Sequence, residues 1–536
     1  MQKIESEFNL LDEPWIMVMQ KDHTVTEVSL RDALLQAHCY RGLSGELPTQ
    51  DIAVLRLLLA VMHSVFYRVD ENGETAPITK SSQAYDRWRT LWMGGRLPQK
   101  PIESYLEKYR DRFWLIDPER PFGQVPSADS GTPYKSSKLN GELSESSNKL
   151  RLFPLTAGKP KEGLTYAQAA RWVLYLNGFD DTSSKPKGKN LPSPGAGWLG
   201  KCGLITAKGD SLFETLMLNF VLLRDVDEGV WQSVTPIWEL DNVRGSERTQ
   251  IPQPDDQAAL LTLQSRRILL QHENGTVYGY SLLGGDFFEP TNAFSEQMTL
   301  WHPMFKDSKK TNLIGYKPKR HNASRQFWRD FSAIAAQDEN NHPPGIVTWH
   351  MRLYRHGCLD KGRLIAYSIA SVQYGDKDFF VTDLFSDSLS FHLSMLSELN
   401  RVWRQMVINQ ISWSDSIAYA VGTMAADLDK AQGGDGKHPM EKEKAEYYYC
   451  IDMPFRKWLH ELSPEDGELD EAIASWRTQA MGIARGLAKE LIAGAGQSAF
   501  VGRTVTEKKN NEEIKLNHSA PKAYNRFLAQ LNKLGR

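Results

Sequence analysis

The sequence predicts an α+β protein with a large mixed N-terminal domain, residues 1–385, followed by a C-terminal four-helix bundle, residues 386–536. Short strand-like segments such as Leu364–Val372 alternate with amphipathic helical patterns in the first two thirds of the chain. From about Leu384 onward, apolar residues recur every three or four positions, which is the helical period. The chain has 536 residues, more than one hydrophobic core usually organises, so we expect at least two domains.

The N-terminal third begins with a strand, a turn and a second strand, and continues with helices. Trp15–Met19 is apolar, and Val25–Val28 alternates after a polar turn. Ser29 can cap a helix that begins near Leu30. Residues 123–153 are polar and show little periodicity, so we expect an irregular or functional loop there. Further helices are predicted at 48–67, 82–93, 102–112 and 164–176, and a helix or buried strand at 211–223.

The middle of the chain predicts strands, and its end predicts helices. Gly345–Trp349 and Leu364–Val372 have strand patterns, with residues 350–358 as a polar loop between them. Residues 374–378 have the composition of a hairpin tip, after which Phe379–Val381 returns as a strand. Helices are predicted at about 388–412, 414–430, 440–462, 467–495 and 519–534.

Composition excludes several classes of protein. The net charge is −2 from 64 basic and 66 acidic side chains, so overall charge does not indicate a polyanionic partner. The four cysteines form no CxxC pair, so we expect neither a disulfide framework nor a structural zinc site. No long uncharged apolar run predicts a membrane span, and residues 1–7 lack the apolar core of a signal peptide. The sequence therefore predicts a cytoplasmic protein without a cofactor or metal.

Common sequence signatures of catalytic, nucleotide-binding and metal sites are absent from the sequence. The chain contains no GxxxxGK(S/T), HExxH, GxSxG or EF-hand pattern. His302, His350 and His356 are the histidines with a catalytic appearance, but their spacing favours a packed turn and a polar loop. We therefore expect no enzyme. The alternative is a metal-dependent nucleic-acid-processing enzyme that uses these dispersed histidines.

Positive charge is concentrated locally. Residues 305–329 contain eight Lys or Arg and one acid, a net charge of +7. Residues 501–536 contain eight basic and three acidic side chains, a net charge of +5. Such patches either hold phosphates or form solvated faces. The candidate phosphate contacts in the first patch are Lys317, Lys319, Arg320, Arg325 and Arg329.

A second candidate for nucleic-acid contact is the segment 178–203, which has six Gly and three Pro in 26 residues. Lysines 185, 187, 189 and 201 are interleaved with them. Glycine allows a backbone to approach a nucleic-acid groove closely, and lysine neutralises nearby phosphates. Composition alone also fits a flexible surface loop.

Seven segments together resemble one protein family. Their order and spacing over essentially the full length resemble the CasA family, the large subunit of the type I-E CRISPR Cascade surveillance complex. The segments are Phe8–Ile16, the stretch from Leu30 to the helix at Ile52–Phe66, Lys138–Lys149, Pro194–Gly200, Leu212–Asn219, Gln264–Ile268 and the hairpin at 373–380.

The resemblance implies a mechanism of target recognition. The guide RNA of Cascade reads the target by base pairing, while the large subunit recognises the short protospacer-adjacent motif (PAM) in double-stranded DNA through the minor groove. The loop that matches here has fewer glycines than in some relatives. Its candidate residues are Phe179, Asp180, Asp181, Thr182, Ser183, Ser184, Lys185, Lys187 and Gly188.

Two more sites are implied by the same resemblance. A hairpin wedge begins strand separation beneath the PAM, and another loop lies near the 5′ end of the guide RNA. A PAM-contacting lysine of some relatives has no counterpart in Asn292–Thr299. The wedge candidates are Gln373, Tyr374, Gly375, Asp376 and Lys377, and the RNA-loop candidates are Lys138, Asn140, Asn148 and Lys149.

The expected partners follow from membership of such a complex. They are the backbone, small and 5′-handle-binding Cascade subunits, CRISPR RNA, double-stranded target DNA and a helicase–nuclease recruited after target opening. The C-terminal bundle would face neighbouring subunits and the displaced strand. A third interpretation is an architectural subunit that binds proteins and RNA without reading DNA.

Overall fold

The structure is a computed structural model that describes residues 6–145, 150, 158–182, 185, 189–242, 244–307, 312–335, 341–465, 467–509 and 512–535. The helices are α1 (Leu30–Leu35), α2 (Pro48–Phe66), α3 (Ser81–Met93), α4 (Gln99–Lys108), α5 (Ser136–Leu139), α6 (Lys159–Glu162), α7 (Tyr166–Phe179), α8 (Trp198–Lys201), α9 (Leu212–Asn219), α10 (Gln257–Leu261), α11 (Phe331–Ala335), α12 (Gly345–Arg355), α13 (Arg401–Gln432), α14 (Lys437–Glu461), α15 (Leu469–Ala493), α16 (Gln497–Val501) and α17 (Ala520–Leu534).

The strands within the described residues form six small sheets, with the orders β3-β2-β4, β1-β5, β6-β10-β7 with β9 also on β10, β14-β13-β8, β11-β12 and β15-β16. Their bounds are β1 (Glu7–Asn9), β2 (Ile16–Met19), β3 (Val25–Val28), β4 (Gly42–Leu43), β5 (Trp114–Ile116), β6 (Thr132–Lys135), β7 (Leu164–Thr165), β8 (Ile205–Lys208), β9 (Arg266–Glu273), β10 (Thr276–Gly284), β11 (Trp301–Phe305), β12 (Leu313–Pro318), β13 (Leu364–Tyr374), β14 (Val381–His392), β15 (Arg503–Lys509) and β16 (Glu512–His518).

The chain divides into two compact units, and the α+β prediction is confirmed. The first unit holds most of the strands together with short helices, and the second holds the long helices. The first comprises Met1–Arg325, Gln337–Asp360 and Ile365–Ser388, and the second comprises Gln326–Ala336, Lys361–Leu364 and Leu389–Arg536.

Helix α2 is a core helix of the first unit. It is the one described helix whose length and hydropathy would allow it to cross a membrane, but 94% of its most apolar window is buried inside the fold. Its one arginine, Arg56, is neutralised by Glu296, whose carboxylate oxygens accept at 2.8 and 3.0 Å. Helix α2 packs against α7 and α10 and so fixes α7, whose end carries the candidate loop.

A four-stranded antiparallel sheet positions Arg266 beside that loop. Strands β9 and β10 are joined at Asn274-Gly275, whose φ angles of 48° and 77° are those of a tight hairpin turn. The register pairs Arg266 with Gly284, so Arg266 opens β9 at the end far from this turn. Helix α7 packs against β9.

The hairpin predicted around 374–378 is confirmed. Strands β13 and β14 are its arms, and β8 continues the sheet on the other side of β13, with Ile205 opposite Ile369. At the tip, Gly375 donates its N–H to the carbonyl of Phe380 at 2.8 Å. Lys377 and Asp378 both adopt left-handed φ angles, 53° and 57°. Such angles are uncommon for residues with a side chain and need support from the surroundings.

Several predictions from sequence patterns are wrong. Gly345–Trp349 is the start of helix α12, and residues 350–355 continue that helix instead of forming a loop. Its buried residues Ile346, Trp349, His350 and Leu353 have helical spacing, which the β-branched Ile-Val-Thr run obscured. Residues 123–153, expected to be irregular, include strand β6 and helix α5.

The start of the C-terminal part was also predicted wrongly. The proposed helices at 388–412 and 414–430 are one helix, α13, preceded by the end of strand β14. The hairpin β15–β16 was not predicted, because its strands are rich in charged residues.

The second unit confirms the predicted four-helix bundle. Helix α13 packs against α14, α15 and α17. It ends at Gly433, whose left-handed φ of 102° allows the chain to turn directly into α14. The core is aromatic: Phe455 packs edge-on against Trp476 at 5.0 Å between ring centroids and stacks on Trp328 at 4.2 Å.

Candidate nucleic-acid interface

The candidate recognition loop, residues 179–188, leaves from the end of helix α7. Thr165 and Gln168 cap the start of this helix reciprocally, and Asp180 follows its last residue. The carbonyl of Asp180 accepts the N–H of Gly197 at 2.9 Å, which closes the loop at its root. A side chain at Gly197 would lie 2.3 Å from the carbonyl oxygen of Gly178, so glycine is required for this close approach.

Two buried carboxylates, Asp180 and Asp181, are surrounded by cations at the loop root. Asp180 Oδ2 lies 2.6 Å from Lys185 Nζ and 2.5 Å from Arg266 Nε. Asp181 forms a close ion pair with Lys138. Asp180 and Asp181 are only 3% and 1% exposed, so their side chains hold the root and do not face solvent.

The charges at the root strongly favour the ionised form of Asp180. Burial alone would raise the pKa of Asp180, but Lys185, Arg266 and Lys138 together outweigh it and lower the pKa to about 2. Burial and repulsion by Arg266 lower the pKa of Lys185 to about 8, despite the attraction of Asp180. Arg266 also donates to the backbone carbonyls of Asp181 and Gly195, at 3.1 and 2.6 Å, and so ties both sides of the loop to β9.

The hairpin tip is bonded directly to this loop. Thr182 donates its N–H to the carbonyl of Asp378 at 2.9 Å and its hydroxyl to the carbonyl of Lys377 at 3.0 Å. Tyr374 donates its hydroxyl to the carbonyl of Phe179 at 2.6 Å. The structure therefore brings together candidate loop and candidate wedge residues that are almost 200 positions apart in the sequence.

Arg320 of the predicted basic patch belongs to the same arrangement. Its guanidinium group binds both carboxylate oxygens of Asp378, at 2.7 and 2.8 Å, and lies over the ring of Tyr374. This bidentate pair supports the left-handed backbone at Asp378. The three outermost wedge candidates, Gln373, Asp376 and Lys377, are exposed, and so is Phe379, with 56% of its surface accessible.

The other basic-patch candidates do not share one environment. Lys317 is exposed on strand β12, while Lys319 and Arg325 are partly buried. Arg329 lies in the second unit, where it forms an ion pair with Asp415 at 3.3 Å and lies 3.5 Å from the ring centre of Tyr448. Arg329 is thus engaged in packing within that unit.

The RNA-loop candidates are only partly described. Lys138 and Asn140 are both 6% exposed; Lys138 pairs with Asp181, and the side chain of Asn140 accepts the N–H of Glu142 at 2.9 Å. Lys138 thus supports the loop root, while Asn140 stabilises the turn after helix α5. Asn148, Lys149, Ser183, Ser184, Lys187 and Gly188 lie outside the described residues.

Sequence reasoning missed the side chains that assemble the site. Arg266 and Arg248 were not among the candidates, Lys201 was named only as one of the lysines of segment 178–203, and Asp378 only as the last residue of the hairpin tip. A pair of arginines within the apolar strand 266–270 was the available indication, because a charge on a buried strand requires a partner. The partner itself, Asp180, could not be found from sequence spacing.

Of the three histidines of the alternative interpretation, His350 and His356 contact neighbouring aromatic side chains, and His302 is exposed on strand β11. His350 is fully buried, and its two ring nitrogens lie 2.8 Å from the hydroxyl of Tyr367 and 2.8 Å from the carbonyl of Leu218. His356 stacks on Tyr85 at 3.9 Å. Within the described ranges, no three His, Cys, Asp or Glu side chains are grouped so that they could hold a metal ion.

Comparison with known proteins identifies the family. A family model described as CRISPR-associated protein Cse1 matches residues 9–487, which is most of the chain. The chain belongs to the Cse1 family. Cse1, also called CasA, is the large subunit of the type I-E Cascade surveillance complex. The resemblance inferred from the sequence is thus confirmed.

Individual relatives agree with this assignment. The chain is 34% identical over 336 residues to the CasA/Cse1 protein of Thermus thermophilus, a match that covers 61% of this chain and 60% of that relative's length. The crystal structure of Thermobifida fusca Cse1 has a TM-score of 0.81 and 28% identity, with 98% of each chain covered. A chain of a CRISPR RNA-guided surveillance complex has a TM-score of 0.72 and 14% identity, covering 99% of this chain and 100% of that one, and so shares the fold.

Proposed function

We propose that this chain is a non-catalytic Cascade subunit that recognises the PAM in double-stranded target DNA and begins strand separation. Loop 179–188 enters the minor groove at the PAM, and the hairpin tip at 373–377 acts as the wedge beneath it. The first unit as a whole is then the DNA-recognition domain. The second unit would contact neighbouring subunits in the cytoplasm.

The observation that carries this proposal is the direct bonding of the loop to the wedge through Thr182, Tyr374 and Asp378. Opening a base step costs a few kcal/mol of free energy. A wedge can separate the bases only if its own backbone is rigid enough not to be displaced by them. The Arg320–Asp378 pair stiffens the tip. A loop held in the groove would therefore place a firm wedge at a fixed distance from the PAM.

The proposed partners are those of a guided complex. CRISPR RNA reads the sequence of the target after the first base pairs open, and the other Cascade subunits hold the guide. Once the target is open, the chain helps to recruit a helicase–nuclease, which performs the cleavage. No cofactor is needed for recognition or opening, because both steps use binding energy alone.

The test compares guide complexes assembled with and without the chain. Target duplexes carry a matched sequence and permuted PAMs, at one fixed salt concentration because phosphate contacts make affinity salt-dependent. Permanganate reactivity of thymines beside the PAM reports opening. A loop variant replaces residues 183, 184 and 186–188, and keeps Lys185 and the buried root through Thr182. A matched control replaces the exposed turn at 20–23.

We expect PAM-dependent binding and opening only with the chain, and loss of PAM preference in the loop variant but not in the turn variant. Binding that is indifferent to the chain or to the PAM would leave an architectural subunit. Metal-dependent cleavage by the isolated chain, lost on replacing His302, His350 or His356, would favour the enzyme instead.

A further inference from the structure

A small pocket beside the loop root contains an unbalanced group of positive charges. It lies between the segment that returns from the loop, at Pro194, and the aromatic residue Phe287. Three cations and one acid line it: Lys201, Arg248, Arg266 and Asp286.

The acid and one of the cations are already neutralised by other partners. Asp286 binds Arg267 at 2.6 Å and Arg244 at 2.5 Å. Arg266 is paired with Asp180. In the part of the chain that the structure describes, no carboxylate lies within ion-pair distance of Lys201 or Arg248. The positive charges of Lys201 and Arg248 therefore remain without a neutralising carboxylate in this pocket.

Both cations retain unused hydrogen-bond donors. Arg248 gives one N–H to the carbonyl of Pro192 at 3.1 Å, and its guanidinium group lies 3.5 Å from the ring centre of Phe287. This leaves most of the five N–H donors of a guanidinium group, in a fixed plane. The ammonium group of Lys201 has no hydrogen-bond partner among the described residues, and its side chain is partly exposed.

Holding these charges together is costly without an anion. Burial, with repulsion by Arg266, Arg248 and Arg320, lowers the pKa of Lys201 to about 8. Burial and repulsion by Arg266 lower the pKa of Arg248 to about 10. A purely structural arginine would be expected to have a carboxylate partner in such a position, as Arg266 and Arg267 have.

We propose that Lys201 and Arg248 bind a phosphate group at the opening of this pocket. A guanidinium plane and a point charge together match the oxygens of a phosphate. The phosphate belongs either to the DNA backbone beside the PAM or to free inorganic phosphate. The first source rests on the proposed function, because the pocket adjoins the segment that closes the recognition loop. A backbone phosphate held there would fix the depth at which the loop enters the groove.

The first arm of the test uses the complete guide complex and a set of matched duplexes. Each duplex carries a single neutral methylphosphonate at one backbone position near the PAM. The variant Lys201→Met keeps the apolar stem and removes the charge. Lys21→Met, at an exposed turn lysine, is the matched control. Arg248→Lys keeps the charge and removes the planar donor group.

With the unaltered chain, we expect one methylphosphonate position to weaken binding about tenfold, as for loss of a charge-assisted hydrogen bond. With Lys201→Met the unmodified duplex is weaker by a similar factor, and the same position has no further effect. Arg248→Lys shows an intermediate loss. Lys21→Met gives the unaltered pattern.

The second arm measures thermal unfolding of the isolated full chain in inorganic phosphate, against chloride at equal ionic strength. Stabilisation of the unaltered chain but not of Lys201→Met, together with a flat methylphosphonate scan, assigns the pocket to free phosphate. No effect of Lys201→Met in either arm overturns the proposal. If the unaltered complex binds its target regardless of the PAM, the proposed function is refuted. The second arm would still show whether the pocket binds phosphate.

Discussion

Thr182 donates two hydrogen bonds to consecutive carbonyls of the hairpin tip, its N–H to Asp378 at 2.9 Å and its hydroxyl to Lys377 at 3.0 Å. Both acceptors have left-handed backbone angles, so their carbonyl groups point where an ordinary hairpin would not place them. Thr182 therefore joins the loop to the wedge by two hydrogen bonds, in addition to the bond from Tyr374 to Phe179. A displacement of the loop root moves the tip unless these bonds break.

Replacing Thr182 tests this connection. Thr182→Val keeps the shape and the N–H but removes the hydroxyl donor, so we expect opening beside the PAM to slow by about two- to tenfold, the value of one hydrogen bond. Thr182→Ser retains the hydroxyl and should open at the normal rate. Permanganate kinetics with a matched duplex provide the measurement.

A target that is already open beside the PAM distinguishes the loss of loop–wedge coupling from the loss of DNA binding in that experiment. If Thr182→Val is impaired only in coupling, a duplex with a mismatched bubble next to the PAM restores normal binding. Continued impairment on the bubble would mean that Thr182 contributes to DNA binding itself.

The Arg320–Asp378 pair should matter more for opening than for stability. Its side chains are about one third exposed, at 35% and 30%, so solvent screening limits its contribution to folding to about 1 kcal/mol or less. Asp378→Asn tolerates the left-handed backbone but removes the charge, and Arg320→Met removes the other partner. The opening rates of the single and double variants form a double-mutant cycle. We expect a coupling free energy of about 0.5–1.5 kcal/mol between the two side chains. Strictly additive effects would show that the pair does not stiffen the tip.

Phe379 is a candidate for the group that separates the bases. It is 56% exposed beside the tip, and apolar side chains placed between base steps are a common means of unstacking them. Phe379→Ala should leave PAM binding unchanged and slow opening, while Phe379→Leu retains part of the rate. An unchanged opening rate in Phe379→Ala would assign the separation to Gln373, Asp376 or Lys377.

The ionised state of Asp180 makes the loop root sensitive to acid. Its pKa is lowered to about 2 in the folded chain from an ordinary value of 3.8, so the unfolded chain binds more protons between these pH values. The stabilisation is present above about pH 4 and is lost as pH falls towards 2, with a total of about 2 kcal/mol. Asp180→Asn should destabilise the chain at pH 7, and the difference from the unaltered chain should shrink in urea unfolding below pH 4. A difference that stays constant with pH would contradict this.

Periodic patterns predicted the architecture better than they predicted the site. The bundle and the 374–378 hairpin follow from local repeats of apolar and turn residues, and both are present. The start of helix α12 was predicted as a strand because Ile346 and Val347 favour strands locally. The helix forms because it buries Trp349 and Leu353 on the same face.

The site itself depends on contacts between distant parts of the chain. Asp180 meets Arg266 across 86 positions, and Thr182 meets Lys377 across 195. No spacing rule relates such residues, because the packing of α7 on β9 determines which of them meet. The candidate loop was proposed from its glycines and by resemblance, and Lys185 and Lys138 were candidates, but Arg266 at its root was not.

The closed root of the candidate recognition loop also determines which parts of the chain can vary in sequence without loss of the fold. Gly197 and Arg266 join the two ends of the loop at its root, and Lys185 binds Asp180 there. Doubling the length of a closed flexible loop costs only about 0.6 kcal/mol. On the proposed function, substitutions and insertions beyond this root would leave the fold intact, so DNA preference could diversify between lineages and be exchanged by transplanting the segment that the root closes.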